Sequence, residues 1–318
     1  MKRTNAHIYL FAVLSMCFWA MSFVWVKIVY KYYEPLTTIT LRLLIASLLL
    51  WTIAPLFRVP LAIRKGDGKW FLLLAFTEPF CYFLGEAFGM KYVSPAVGSI
   101  IVSTIPLFCL LPGIFLLKER LSITNIGGII ISFCGILMMI HVRGYGFGQS
   151  PDAPLHGVLL MFFAVFSAVG YSMLIKRLAD RYHAVMLVAW QSFLGAIYFL
   201  PFFYVFDHDK FRAVTPTGEL IGALLTLSVF ASVLAFLFFM TGMRLANTLA
   251  LVIQRIGIAK ANVFANLIPV MTAVFSYFVL AEAFTAQKLG GMALVIGGLF
   301  LSGTNTGKRT DADGVKRP

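Results

Sequence analysis

Acidic residues are scarce in this chain: 13 aspartates and glutamates stand against 26 lysines and arginines among 318 residues. Charged residues together make up 12% of it, roughly half the share usual in a soluble globular domain, which excludes a water-soluble fold. Cysteine is scarcer still. Cys17, Cys81, Cys109 and Cys134 all fall in apolar stretches, with no CxxC pair and no histidine at ligand spacing, so they read as packing residues rather than disulfides or metal ligands. Nothing calls for a cofactor. The five histidines, His7, His141, His156, His183 and His208, stand near the ends of apolar runs or between them. No HxxxH, GxSxG or paired-aspartate pattern lies inside a run, so a membrane-embedded enzyme lacks its chemistry. A nucleotide-driven pump lacks its GxxxxGK[ST] loop. No long polar segment supplies the soluble domain that a receptor or assembly factor usually brings.

What the chain has in quantity is apolar sequence: 60% hydrophobic and 15% aromatic residues. Ten runs recur, at 8–29, 36–57, 69–89, 95–117, 124–142, 156–176, 184–206, 218–241, 261–281 and 286–303. Most are long enough to cross a hydrocarbon core about 30 Å thick as a helix. The interval 218–253 is too long for one upright helix and shows no clear break. The basic start MKRTNAH resembles the head of a signal peptide, but the apolar run behind it has a full span's length and no small-x-small exit site. It is expected to stay as the first helix.

The basic residues are not spread evenly. With the amino terminus inside, eighteen lysines and arginines fall on the cytoplasmic side and seven on the other, with Arg42 inside a span. This is the positive-inside bias of a multi-pass protein of the cell (inner) membrane with both termini cytoplasmic. The net charge of +13 therefore orients the chain in the bilayer and calls for no nucleic acid.

The sequence also repeats itself. STIPLFCLLPGIFLLKERLSITNIGGIIISFCG (103–135) overlays NLIPVMTAVFSYFVLAEAFTAQKLGGMALVIGG (266–298) at one offset of 163, matching Pro106 with Pro269, Glu119 with Glu282, Gly127-Gly128 with Gly290-Gly291 and Gly135 with Gly298. Earlier in each half an offset of 149 sets Lys27 on Lys176 and Arg42 on Gln191. Five spans per half force the second half to enter from the opposite face, which makes the repeat inverted. The expected fold is an all-α membrane protein of ten transmembrane helices in two inverted five-helix repeats, 1–142 and 156–303. An external linker at 143–155 joins them, and a cytoplasmic, disordered tail at 304–318 follows.

WAMSFVWVK (19–27), EPLTTITLRLLIA (34–46) and SPAVGSIIVSTIPLFCLLPGIFLLKERLSITNIGGIIISFCGILMM (94–139), with its second copy, resemble the EamA family of the drug/metabolite transporter superfamily from Ile8 to Ser302. The resemblance implies a secondary transporter, with exporters of amino acids and related metabolites among its kin. Sugar-phosphates, nucleotide-sugars and drugs are alternative substrates in the same fold, and a non-transporting membrane protein is the alternative class. The expected partners are a small-molecule substrate and the lipid bilayer. Proton exchange and uncoupled movement fit equally well, and a homo-oligomer is left open. An offset of 153 at Gly89-Met90-Lys91 and Gly242-Met243-Arg244 leaves about ten extra residues around 245–254, between the eighth and ninth spans.

Candidate site residues follow from polarity inside the spans. In TEPFCYFLGEAFGM (77–90), Glu78 lies about halfway across and Glu86 near the outer end, about 12 Å apart in rise and about 80° around the helix, with Tyr82 between. A carboxylate there costs a few kcal/mol unless it faces the bundle interior, holds a proton or finds a partner. Glu78 could instead serve a helix broken by Pro79, and Glu86 could pair with Lys91. Arg42 shares the depth of Glu86, so Arg42, with Lys27, is expected to hold Glu86 ionised at an outer gate, leaving Glu78 for substrate or proton. Gln191 joins the gate set as the match of Arg42. Ser99 and Ser103 lie over Asn262 and Asn266 at the offset of 163, two polar pairs expected to line a central cavity or to bond between helices. Pro106 and Pro269 are hinge candidates or simple bends. Trp19, Trp25, Tyr171, Trp190 and Phe236 could line the path or pack. The glycine pairs suit close helix packing.

Overall fold

The computed structural model of the protein describes residues 2–109, 123–140, 149–179, 181–239 and 267–303. The expected extra segment at 245–254, together with Asn262, Asn266 and Glu119, lies outside the described residues. Helices dominate: α1 (Lys2–Val29), α2 (Pro35–Leu56), α3 (Gly68–Ala75), α4 (Tyr82–Tyr92), α5 (Pro95–Ser103), α6 (Ile105–Phe108), α7 (Ile123–Ile140), α8 (Leu155–Ala179), α9 (Ala184–Phe206), α10 (His208–Ala213), α11 (Gly218–Thr226), α12 (Leu267–Leu280) and α13 (Ala286–Gly303). The one departure among the described residues is a two-residue antiparallel ribbon, Gln149–Ser150 against Ala153–Pro154, inside the stretch expected to link the halves.

Helix starts follow local chemistry. Pro35 and Pro95 open α2 and α5 at a position where a missing N–H costs nothing. Ser94, His183 and Thr217 cap α5, α9 and α11 with their own side chains. The α2 start is capped from a distance: buried Asp207 accepts from Thr37 N at 3.2 Å and from Thr37 Oγ1 at 3.3 Å. At the opposite ends of α2 and α9, Tyr182 OH donates to Asp67 Oδ2 at 2.7 Å and Trp190 Nε1 donates to Leu61 O at 2.9 Å, fixing the 58–67 loop.

Five of the helical stretches are long and apolar enough to cross a membrane, Gly68–Tyr92 and Gly218–Phe239 among them, and five shorter apolar helices accompany them. Their outer faces carry large apolar side chains with no protein cover, such as Leu48, Phe133, Phe163, Phe166 and Ile197. A chain in water would not leave this much aliphatic and aromatic surface on most of its long helices, whereas a bilayer solvates it. The protein is a multi-pass membrane protein.

The tightest pairing is α7 against α13. A Cβ at Gly128 would come within 2.5 Å of Gly298 O, and one at Gly135 within 2.6 Å of Gly291 O, so only glycine permits this approach. Ser132 Oγ donates to Val295 O at 3.2 Å between these contacts. Asn125 Nδ2 donates to Ser302 O at one end of the pair, and Gln287 Nε2 to Met138 O at the other. Low numbers meet high ones throughout, so these two matching helices run antiparallel. The same holds for α2 and α9, where Leu43 lies against Gly195 and Trp51 against Trp190. The remaining packing comes in matched sets: α4 on α8 answers α11 on α1, and α12 on α1 answers α5 on α8.

Candidate substrate site

Two of the long helices change winding midway. The Gly68–Tyr92 stretch widens into a π turn at Phe76–Cys81, and the Gly218–Phe239 stretch widens at Leu227–Leu234. The first break has a sequence cause: Pro79 has no N–H to give the helix, and Glu78 leaves helical space at φ −146°, ψ 119°. The second has no proline; there Ser232 Oγ donates back five residues to Leu227 O at 3.4 Å. Turns of this kind free backbone groups and concentrate at functional sites.

Each π turn receives a side chain from the other half. Gln191 Nε2, from α9, donates to Glu78 O at 3.2 Å. Arg42 Nε, from α2, donates to Ser232 Oγ at 2.9 Å, and its guanidinium stacks over the Phe83 ring at 4.3 Å. Both donors are buried.

Between the turns lies a narrow cleft, lined by Leu43, Glu78, Pro79, Phe83, Val188, Gln191, Ser192, Ser232 and Phe236. Its lining is apolar apart from Glu78, Gln191 and two serines. Glu78 is 8% exposed, borders the cleft, and among the described residues its carboxyl takes no hydrogen bond. Gln191 is 6% exposed; the Tyr171 hydroxyl is a hydrogen-bond neighbour of its amide, while Oε1 has no partner among the described residues. Because Nε2 is fixed on Glu78 O, the carbonyl end of the amide is the one left over.

Glu86 lies two turns along from Glu78, buried, and accepts from Tyr82 OH at 3.1 Å. The expected pairing of Glu86 with Arg42 is not closed: Arg42 makes no direct ion pair among the described residues. Serine and an aromatic ring take the guanidinium instead, with both Glu86 and Glu78 among its charged neighbours. Lys27 does not join them. Its acidic neighbours are Glu282 and Asp152, beside buried Lys288, which pairs with Glu282 and with Asp152 at 3.3 Å. Lys91, the alternative partner of Glu86, bonds Glu34 at 2.6 Å.

Ser99 and Ser103 stand apart from this cleft, and their matches Asn262 and Asn266 lie outside the described residues. Both serines are buried and donate back to their own helix, Ser99 to Ala96 O at 2.9 Å and Ser103 to Ile100 O at 2.7 Å. A hydroxyl satisfied this way needs no cavity, and neither borders the cleft. Pro106 sits where the fourth span breaks: α5 ends at Ser103 and α6 starts at Ile105. Pro269 lies in the first turn of described α12 with no break beside it. Of the aromatic candidates, Phe236 lines the cleft with Trp19 at 5.2 Å behind it, Trp25 packs on Phe230 and Trp190 on Trp51. Sequence reasoning missed Ser192 and Ser232. The one signal for Ser232 was the offset of 153, which sets it over Pro79.

Buried polar groups around a break in two long apolar helices mark the candidate site of a multi-pass membrane protein. The model of the EamA-like transporter family matches residues 7–141 and again 155–304, and the chain belongs to that family. It is 28% identical to the uncharacterized transporter YetK of Bacillus subtilis over 82% of this chain and 76% of that relative. It is 25% identical to an uncharacterized transporter of Archaeoglobus fulgidus over 91% and 95%, and 25% identical to a chloroplastic WAT1-related protein of Arabidopsis thaliana over 89% and 66%. A solved crystal structure shares the fold at TM-score 0.65, with 18% identity over 93% of this chain and 97% of its own.

Proposed function

We propose that this chain is a secondary transporter that carries a small organic metabolite, an amino acid or a related amine-bearing compound, outward across the cell membrane. It does so by alternating access between two inverted five-helix halves. The observation that carries this reading is the cleft between the two π turns, with Glu78 and Gln191 of opposite halves on its wall. The antiparallel contact of matching helices, α7 with α13 and α2 with α9, supports the inverted relation. The cleft is too crowded here for a metabolite, so a loaded state needs the α3–α4 and α11 stretches to part, and the weakened helix at each π turn is where they can bend.

Charge gives the coupling. One guanidinium, Arg42, serves two carboxyls, Glu78 and Glu86, in the bundle interior, and a second carboxylate without a counter-charge is costly there. The surplus carboxyl therefore holds either a proton or a cationic substrate. Glu78, whose carboxyl takes no hydrogen bond among the described residues and borders the cleft, is that group, and exchange of proton for amine follows. Purified protein in liposomes, challenged with a metabolite panel with and without an imposed pH gradient, tests the reading. Saturable, gradient-dependent flux of an amine-bearing metabolite is expected; no saturable flux of any metabolite would refute it.

A further inference from the structure

We infer that the cleft selects amines without a free carboxylate, a narrowing that rests on the transport reading above. Three observations carry it. First, the unfilled polar valences of the lining are acceptors: the Glu78 carboxyl, and Gln191 Oε1, which is buried without a partner. A buried acceptor left unpaired is destabilising, and a ligand with two or three N–H donors removes the cost at both positions. Second, no cation among the described residues borders the cleft. Arg42 stands outside the lining, its Nε held by Ser232 and its plane over Phe83. Third, the Ser232 hydroxyl already accepts from Arg42 and donates to Leu227 O, which leaves Ser192 as the hydroxyl available to an anion.

A carboxylate in this space meets Glu78 and the Gln191 carbonyl with one neutral donor to offset them. Like charges brought together in a desolvated site cost several kcal/mol. An ammonium meets the opposite: a carboxylate, an amide oxygen and the Phe236 ring, whose face attracts cations. An amino acid and its decarboxylated amine differ only in the group this lining opposes.

The test uses the full chain in lipid nanodiscs, with empty nanodiscs as blank. Binding of radiolabelled 2-phenylethylamine is competed with unlabelled 2-phenylethylamine, phenylalanine methyl ester and phenylalanine, and tyramine and 1,4-diaminobutane are run alongside. The expected result is that the amines and the ester compete, with phenylalanine weaker by about ten-fold or more. Glu78→Gln should abolish amine binding, and Gln191→Leu, which keeps the carboxyl, should weaken it. Equal or tighter binding of phenylalanine, amine binding unaffected by Glu78→Gln, or no binding by any of the amines overturns the inference. Should Glu78→Gln fail to fold, Gln191→Leu decides: unaltered amine affinity there counts against it. Saturable flux of a carboxylate-bearing metabolite in liposomes would remove this inference while leaving the transporter reading intact.

Discussion

Arg42 and Gln191 occupy matching places in the two halves, and each donates into the π turn of the other half, Arg42 to Ser232 at 2.9 Å and Gln191 to Glu78 O at 3.2 Å. The two turns match as well, since Phe76–Cys81 moved on by 153 residues falls within Leu227–Leu234. Each half therefore holds the other's bend. In the proposed alternating-access motion, rocking one half against the other would stretch or exchange both contacts and so tie the two bends to one motion.

The pair of contacts should be separable from folding. Gln191→Leu and Ser232→Ala are each expected to lower transport several-fold while leaving yield and monodispersity near wild type, because each removes one hydrogen bond worth about 1 kcal/mol. The double variant should fall short of the product of the single effects, since both act on the same motion. Initial rates in liposomes check this; strictly multiplicative losses would show the two contacts to be independent.

Packing of α7 on α13 makes a sharper stability prediction. Gly135→Leu and Gly298→Leu place side chains where backbone already lies and should cost about 1–3 kcal/mol or more, read as a lowered melting temperature. Gly297, one residue from Gly298, has open space around a Cβ, so Gly297→Leu should be tolerated. Equal effects at 297 and 298 would contradict this placement of the helices.

The 58–67 loop should loosen in acid. Asp67 is held below the usual carboxylate range, first by the hydroxyl of Tyr182 and then by Arg181. A depressed folded-state value gives stability that is present above the unfolded value of about 3.9 and lost as pH falls through the folded one. Proteolysis or labelling of this loop should therefore rise below about pH 4. Tyr182→Phe should move that rise to higher pH; an unchanged profile would show that the hydroxyl does not set it.

Orientation is tested by labelling. In a variant freed of Cys17, Cys81, Cys109 and Cys134, a cysteine placed in 143–155 should react with an impermeant maleimide from outside, and one placed in 58–67 only after permeabilisation. The reverse pattern would invert the assignment drawn from the basic residues.

Much of this was legible in the sequence. The glycines of α7 and α13 could be paired in advance because one offset aligns them without a gap, and backbone contact leaves glycine no substitute. Arg42 and Gln191 could be matched for the same reason. The sequence could not say what they touch. An arginine and a glutamate at one depth invite a pairing, yet depth says nothing of azimuth, and Ser232 and Phe83 reach the guanidinium first. Ser99 and Ser103 each satisfy their hydroxyl on their own helix, so polarity in a span does not by itself locate a cavity. The break at Glu78 was announced by Pro79, whereas the π turn at Leu227–Leu234 has no proline or glycine to mark it.

The central claim is that Glu78 is the group at which proton and substrate compete. Its most direct measurement is substrate-driven proton movement in liposomes, followed with an internal pH dye, for wild type and Glu78→Gln at matched reconstitution. The account predicts that an amine gradient moves protons through wild type, and that Glu78→Gln moves none while remaining folded. Proton movement of wild-type size through Glu78→Gln would contradict it.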